Sequence, residues 1–302
     1  MIKTLQIITL LIAFFSSSLY AQRDSFTAND FSSFLEAAYI ADATYKTEDA
    51  IKSVLSKQGY ELQVLRQVDG YSVAFIIAIN RMTKHQLIAV RGTSNIENAV
   101  VDVAFVLVED KITGIDIHQG FLLSARDIYE QVRPLLEPGY KINTIGHSLG
   151  GATALILAMM LDAQGYNVDE VITFGQPKVT NITGSQTFKH LNVKRLVTPK
   201  DMVPLVPPVD PVNLMDFSIF WHQGTEVFLY SDQRYAVLTG MNSMLRAASF
   251  LNDVPSEQHL SHHFMSSYIE YLKPKLENPI QVEYKNDFSI TDWFGSSNNK
   301  TP

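Results

Sequence analysis

The chain contains no cysteine. That excludes thiolate nucleophiles, cysteine zinc sites, disulfides and lipid attachment through a cysteine thioether. Long runs of Lys or Arg are missing too, and 24 basic against 31 acidic residues leave a formal charge of −7. This balance argues against nucleic acid as a partner, because such binding draws its affinity from cationic contacts to phosphates. Glycine and proline are sparse, 15 and 12 of 302 residues, so a collagenous or low-complexity chain is excluded. What is abundant is apolar: 46% of residues are hydrophobic and 11% aromatic, ample for a core in a chain about twice the usual domain size. With no repeat, linker or shift of composition, one domain over residues 22–302 is the simplest organisation, with a loose tail from Trp293.

The N-terminus is set apart. Lys3, the apolar run Ile7 to Phe15 and the small residues before Ala21 follow the charge, hydrophobic and small-residue order of a secretory signal peptide. Its apolar run falls far short of the ~20 residues that span a bilayer. Residues 1–21 are therefore expected to be removed, leaving an exported protein, periplasmic or secreted, with no stable membrane span.

Beyond it, Thr27-Ala-Asn-Asp30 has the form of a capping box, and Phe31, Phe34, Leu35, Ala38, Tyr39 and Tyr45 recur near helical spacing. Tyr71 to Asn80 and Leu87 to Val90 are apolar runs around a polar turn, the pattern of adjacent buried strands. Helix-like segments at 121–136 and 152–163 then alternate with short apolar strands at 140–145, 168–174 and 193–197. Strands alternating with helices predict a mainly parallel sheet.

Gly146-His-Ser-Leu-Gly150, followed by Gly151 and Ala152, lies between one such strand and helix. A serine carried on a sharp strand-to-helix turn needs neighbours without bulky side chains, because strand and helix nearly touch there. The arrangement exposes Ser148 Oγ as a nucleophile and aims the Leu149 amide at the charge that develops beside it. Such a serine needs a base and an acid, downstream in that order of types: Asp, then His. Asp201, just past a strand, is a candidate acid, although read locally an ordinary turn residue before Pro204 is the better reading. His259, His262 and His263 are candidate bases. Their i, i+3, i+4 spacing also suggests a metal site, but no acidic ligand shares the turn.

Taken together, from about Ala38 to Tyr268 the chain resembles the class 3 lipase family of α/β-hydrolases. Arg91-Gly-Thr-Ser94 is similar to that family's R-G-S/T turn, His118-Gln-Gly-Phe121 to its H-x-G-F, Gly146 to Gly151 to its elbow, and Phe174 to Val179 to its F-G-Q-P-R-V. Arg195 to Pro204 matches the segment bearing its catalytic Asp, and His222 to Val227 its H-x-G-x-E strand. The resemblance implies a three-layer α/β-hydrolase fold, a mostly parallel central sheet flanked by helices. It implies Ser148, Asp201 and a histidine as the catalytic set, with Thr93 and Leu149 forming the oxyanion hole. It also implies a lid near residues 95–108; Ala99, where fungal members carry Trp, suggests weaker dependence on an oil–water interface. The catalytic His of the family opens the final helix, as H-L-S-x-Y/F in one branch and H-x-M-x-x-Y in another. His259-Leu-Ser261 fits the first and His263-Phe-Met-Ser-Ser-Tyr268 the second; the longer match makes His263 the expected base.

The expected activity is hydrolysis of lipid esters, triacylglycerol or phospholipid at sn-1, through an acyl-enzyme and with no cofactor or metal. A soluble short-chain esterase and a non-catalytic lipid-binding relative are the alternatives. Residues Gly240 to Glu257 add an amphipathic stretch carrying Met241, Met244, Leu245, Ala248 and Leu251, for which core packing is the simplest role.

Overall fold

A computed structural model describes residues 25–68, 73–93, 106–207, 219–249 and 261–285. The signal segment, residues 95–105 of the expected lid, His259 and the tail from Trp293 lie outside them.

Thr27 caps the first helix, α1 (Ala28–Ala43), in a reciprocal capping box with Asp30. α1 ends at Ala43, so Tyr45 lies beyond it rather than on its apolar stripe. α2 (Glu48–Lys57) leads to β1 (Glu61–Val68), β2 (Val73–Asn80) and β3 (His85–Arg91), antiparallel neighbours in which Asn80 pairs with His85 across the turn. Seven of the eight residues of β2 are buried, as a continuous apolar run requires when both faces of a sheet are covered.

Next come the short strands β4 (Leu107–Glu109) and β5 (Asp116–His118), then α3 (Gln119–Val132), β6 (Lys141–His147), α4 (Leu149–Ala163) and β7 (Val168–Phe174). β8 (Thr180–Asn181), α5 (Ile182–Thr187), β9 (Val193–Val197), β10 (Phe220–Trp221), β11 (Thr225–Leu229) and β12 (Arg234–Leu238) follow. Then come α6 (Gly240–Ser249), α7 (Met265–Leu272) and β13 (Ile280–Gln281). The main sheet has the order β1-β2-β3-β6-β7-β9-β11-β12-β13, and β10-β8-β5-β4 form a small second one.

Side chains alternate across the main sheet. Phe75, Ile77, Ile88 and Val90 enter a core with α3 and α4, whereas Ile76, Ala78, Leu87 and Ala89 enter another with α1, α2 and α7. That makes three layers. α4 is buried on every side from Gly150 to Leu161, which explains a sequence apolar all round rather than on one stripe. Both ends of the described chain meet at Tyr235. Its hydroxyl accepts from the Phe26 N–H at 2.8 Å, and its backbone pairs with Gln281 of β13. Among the described residues no helix is long and apolar enough to cross a membrane.

The five central strands β3, β6, β7, β9 and β11 run parallel, with Val90 beside Gly146, His147 beside Phe174, and Phe174 beside Leu196. Their C-terminal ends therefore share one edge, where α/β sheets bind ligands. Gly92, Ser148, Gly175 and Thr198 follow the ends of β3, β6, β7 and β9 directly.

Candidate active site

β6 stops at His147 and α4 starts at Leu149, so one residue makes the whole reversal. That residue, Ser148, has φ 60° and ψ −132°, a conformation a side chain rarely adopts unless its surroundings enforce it. They do. The Ser148 N–H donates to the Phe174 carbonyl at 2.8 Å, and the Ser148 carbonyl accepts from the Gly151 N–H at 2.9 Å. A Cβ on Gly146 would come within 2.3 Å of the Gly150 oxygen, and one on Gly150 within 2.3 Å of the Val90 oxygen. The elbow thus depends on those glycines, and it leaves Ser148 only 2% exposed.

Asp201 and His263 come together from segments 62 residues apart. His263 Nδ1 lies 2.9 Å from Asp201 Oδ1 and 2.8 Å from Oδ2. Oδ1 also accepts from the Val203 N–H at 2.9 Å, and Oδ2 from the Tyr268 hydroxyl. Burial by itself would raise the Asp201 carboxyl; the His263 ring, Tyr268 and the Val203 N–H outweigh it and hold the group below its ordinary value. With Nδ1–H donated to the carboxylate, Nε2 is the lone-pair nitrogen of His263. It is buried and has no hydrogen-bond partner among the described residues. His263 does not open α7 as expected: it closes a short helical segment at 261–263, the chain bends at Phe264, and α7 starts at Met265. The ring of His262 sits against Tyr271 instead, 6.2 Å between centroids. Among the described residues no three His, Asp or Glu gather as a metal site would.

Gly175 makes room for the pair. It has φ +58°, and a Cβ there would lie 2.6 Å from Asp201 Oδ2 and 2.8 Å from His263 Cε1. Thr93 follows β3 half-buried, and Leu149 is the first residue of α4, whose N–H has no acceptor within its helix.

Two motifs hold the loop that carries Asp201. Lys178 Nζ donates to the Leu205 carbonyl and, at 2.8 Å, to that of Pro207; His222 Nε2 donates to that of Pro204 at 2.7 Å. Burial, aided by nearby Arg246 and Arg195, pushes Lys178 well below its ordinary value, and burial does the same to His222. Behind them Glu226 takes Arg195 at 3.3 Å, Ser243 Oγ at 2.5 Å and Arg246. The inner face of α6 thus carries Ser243 and Arg246 beside Met244, and Met241 is exposed. The expected core packing holds for Met244 and fails for Met241.

Sequence reasoning gave no role to Tyr45 or His147. Tyr45 Oη lies 3.1 Å from the Gly92 nitrogen and 2.9 Å from His147 Nδ1, and His147 Nε2 lies 2.7 Å from the His263 carbonyl. The helical spacing hid Tyr45 by counting it as core, and the elbow motif hid His147 as its variable position.

The layered sheet, the strained serine between β6 and α4, and the loops at the strands' shared C-terminal edge are those of the α/β-hydrolase fold. A mutant MDLA from Penicillium cyclopium superimposes with a TM-score of 0.62 at 22% identity, over 80% of this chain and 96% of that one. Residues 87–210 match the family model Lipase (class 3). It is 34% identical over 155 residues to a lipase of Rhizomucor miehei, covering 46% of this chain and 42% of that protein. It is 28% identical over 145 residues to secreted mono- and diacylglycerol lipase 1 of Fusarium solani, covering 44% of this chain and 42% of that protein. The match thus spans less than half the length of either curated relative.

Proposed function

We propose that the protein is a serine carboxylic-ester hydrolase acting on lipids. The observation that carries this reading is the lone-pair Nε2 of His263, buried without a described partner at the far end of an imidazole fixed to a carboxylate, in the same site as a strained serine. Ser148 Oγ attacks the ester carbonyl as its proton passes to Nε2. The Thr93 and Leu149 amides hold the tetrahedral oxyanion. His263 then protonates the departing alcohol oxygen, and the acyl group stays on Oγ. Water, giving its proton to Nε2, attacks the acyl carbon and releases the acid. Asp201, kept ionised, stabilises the imidazolium throughout.

The substrate class is supported by the relatives' names, a lipase and a mono- and diacylglycerol lipase. Ser148 is 2% exposed, so an ester reaches it only after part of the protein moves; residues 95–108 are the segment proposed to do so. Residues 1–21 are proposed to direct export, and 22–302 to form one domain.

A fluorophosphonate probe tests the chemistry. The wild type takes one label and hydrolyses esters, whereas Ser148→Ala takes none and its turnover falls by several orders of magnitude. Near-normal turnover in that variant would falsify the triad. Rates across acyl lengths, with triglyceride and phospholipid emulsions alongside, test the substrate class: a rate that rises past the substrate's solubility limit supports a lipase, and one confined to short soluble esters overturns it.

A further inference from the structure

Acyl transfer needs the oxyanion donors, the nucleophile and the base in register, yet they come from residues 92–93, 148–149 and 263. We infer that Tyr45 and His147 are positioning residues that set the distance between the oxyanion turn and the base, a reading that rests on the Ser148, His263 and Asp201 assignment above. The inference starts from donors and acceptors. The Gly92 N–H can only donate, so Tyr45 Oη accepts it at 3.1 Å. The hydroxyl's own proton then goes to His147 Nδ1 at 2.9 Å. Nδ1 is thereby the lone-pair nitrogen, so the ring proton sits on Nε2, which meets the His263 carbonyl, an acceptor, at 2.7 Å. One tautomer satisfies every contact, and the other would turn the Nε2 lone pair on the His263 carbonyl, which can only accept.

The chain is also packed in place. His147 and His263 rings lie 4.6 Å apart at 35°. A Cβ on Gly92 would fall 2.7 Å from the His147 oxygen, 2.9 Å from Tyr45 Oη and 3.2 Å from Ser148 Cβ, so the oxyanion turn rests directly on the elbow and on Tyr45. The preceding carbonyl, that of His262, is held by Thr198 Oγ1 at 3.0 Å, which leaves the backbone under the base fixed at two successive points. Burial, reinforced by the neighbouring His263 ring, presses His147 down to about 3. It therefore stays a neutral spacer while His263 is protonated and deprotonated beside it. A spacer of this kind acts on the transition state, where oxyanion and imidazolium are both charged, and not on ground-state binding.

The test compares Tyr45→Phe, His147→Asn, His147→Gln and the double variant Tyr45→Phe/His147→Asn with wild type and Ser148→Ala, on a soluble p-nitrophenyl ester. Turnover is referred to sites titrated by the fluorophosphonate, so only folded molecules count. The expected result is a kcat lower by roughly tenfold to hundredfold in Tyr45→Phe and His147→Asn, as for a reacting group misplaced by a fraction of an ångström. KM stays within about twofold. His147→Gln, whose longer amide can still reach the His263 carbonyl, recovers more kcat than His147→Asn. The double variant is no worse than the worse single one, as for two links of one chain. If His147→Asn gives no titratable sites, Tyr45→Phe, which keeps the ring, decides. Wild-type kcat with a lowered melting temperature, or losses that simply add, overturns the inference and leaves the two as packing residues. Turnover in Ser148→Ala strikes the acyl-enzyme reading instead, and an inactive Ser148→Ala beside a wild-type-like Tyr45→Phe removes only the positioning role.

Discussion

At the scale of single residues, Gly175 shows how little slack the site has. An alanine there must adopt φ +58° and place its Cβ 2.6 Å from Asp201 Oδ2, so the acid and base have to separate. Gly175→Ala is expected to lose roughly hundredfold in kcat, the scale of a reacting group displaced by about 1 Å. Full activity with an undisturbed melting curve would mean that the pair tolerates displacement. On the proposal that the Thr93 hydroxyl joins its amide in holding the oxyanion, Thr93→Ala, which keeps only the amide, is expected to lose about 2.7 to 4 kcal/mol of transition-state stabilisation, and stability should barely change. An unfolded Thr93→Ala with normal specific activity would make Thr93 a packing residue. Ser148 stood out because few neighbours can flank a sharp strand-to-helix turn, whereas Asp201 and His263 were singled out only by the motifs of the resemblance, and the fold brings these two into contact. The choice of His263 over His259 was made on motif length; the ring that meets Asp201 is that of His263, and His259 lies outside the described residues. Tyr45 was illegible because a phenol at helical spacing reads as core, and only the fold brings it to residues 92 and 147.

At the scale of elements, legibility followed burial. β2, β3, β6, β7 and β9 are short apolar runs and stood out. β1 alternates half-buried and exposed residues at the sheet's edge, and β8 and β10 are two residues each, too short for any period. α6 was expected as a helix, but its buried polar residues were not, because they bond to Glu226, a partner no local pattern can supply. The acid loop belongs to this scale as well. Lys178→Met would fill the same channel but leave the Leu205 and Pro207 carbonyls unpaired, at about 1 to 3 kcal/mol for each buried group. Lower thermal stability is expected, with hydrogen exchange in residues 201–207 accelerated ahead of the rest. Uniformly faster exchange across the chain would show that Lys178 supports the whole fold rather than that loop.

For the whole molecule, three buried histidines bias its response to acid. Burial lowers His118 to about 4, His147 to about 3 and His222 well below its ordinary value. In the unfolded chain each takes a proton near pH 6.5. Below that pH the unfolded state binds more protons than the folded one, so stability falls as pH drops from about 6.5 towards 3, by up to ~1.4 kcal/mol per pH unit for each group. Asp201, also depressed when folded, adds a loss in the same direction below about pH 4. Melting temperatures across that window test this; a flat profile from pH 6.5 to 4 would mean that all three rings take up protons in the fold as readily as in the unfolded chain. The meeting of both described ends at Tyr235 has a different consequence. Phe26 and Gln281 meet on one residue, so a short peptide joining residue 285 to residue 25, with new termini cut into the exposed turn at Met82, should give a circular permutant that folds and keeps its site.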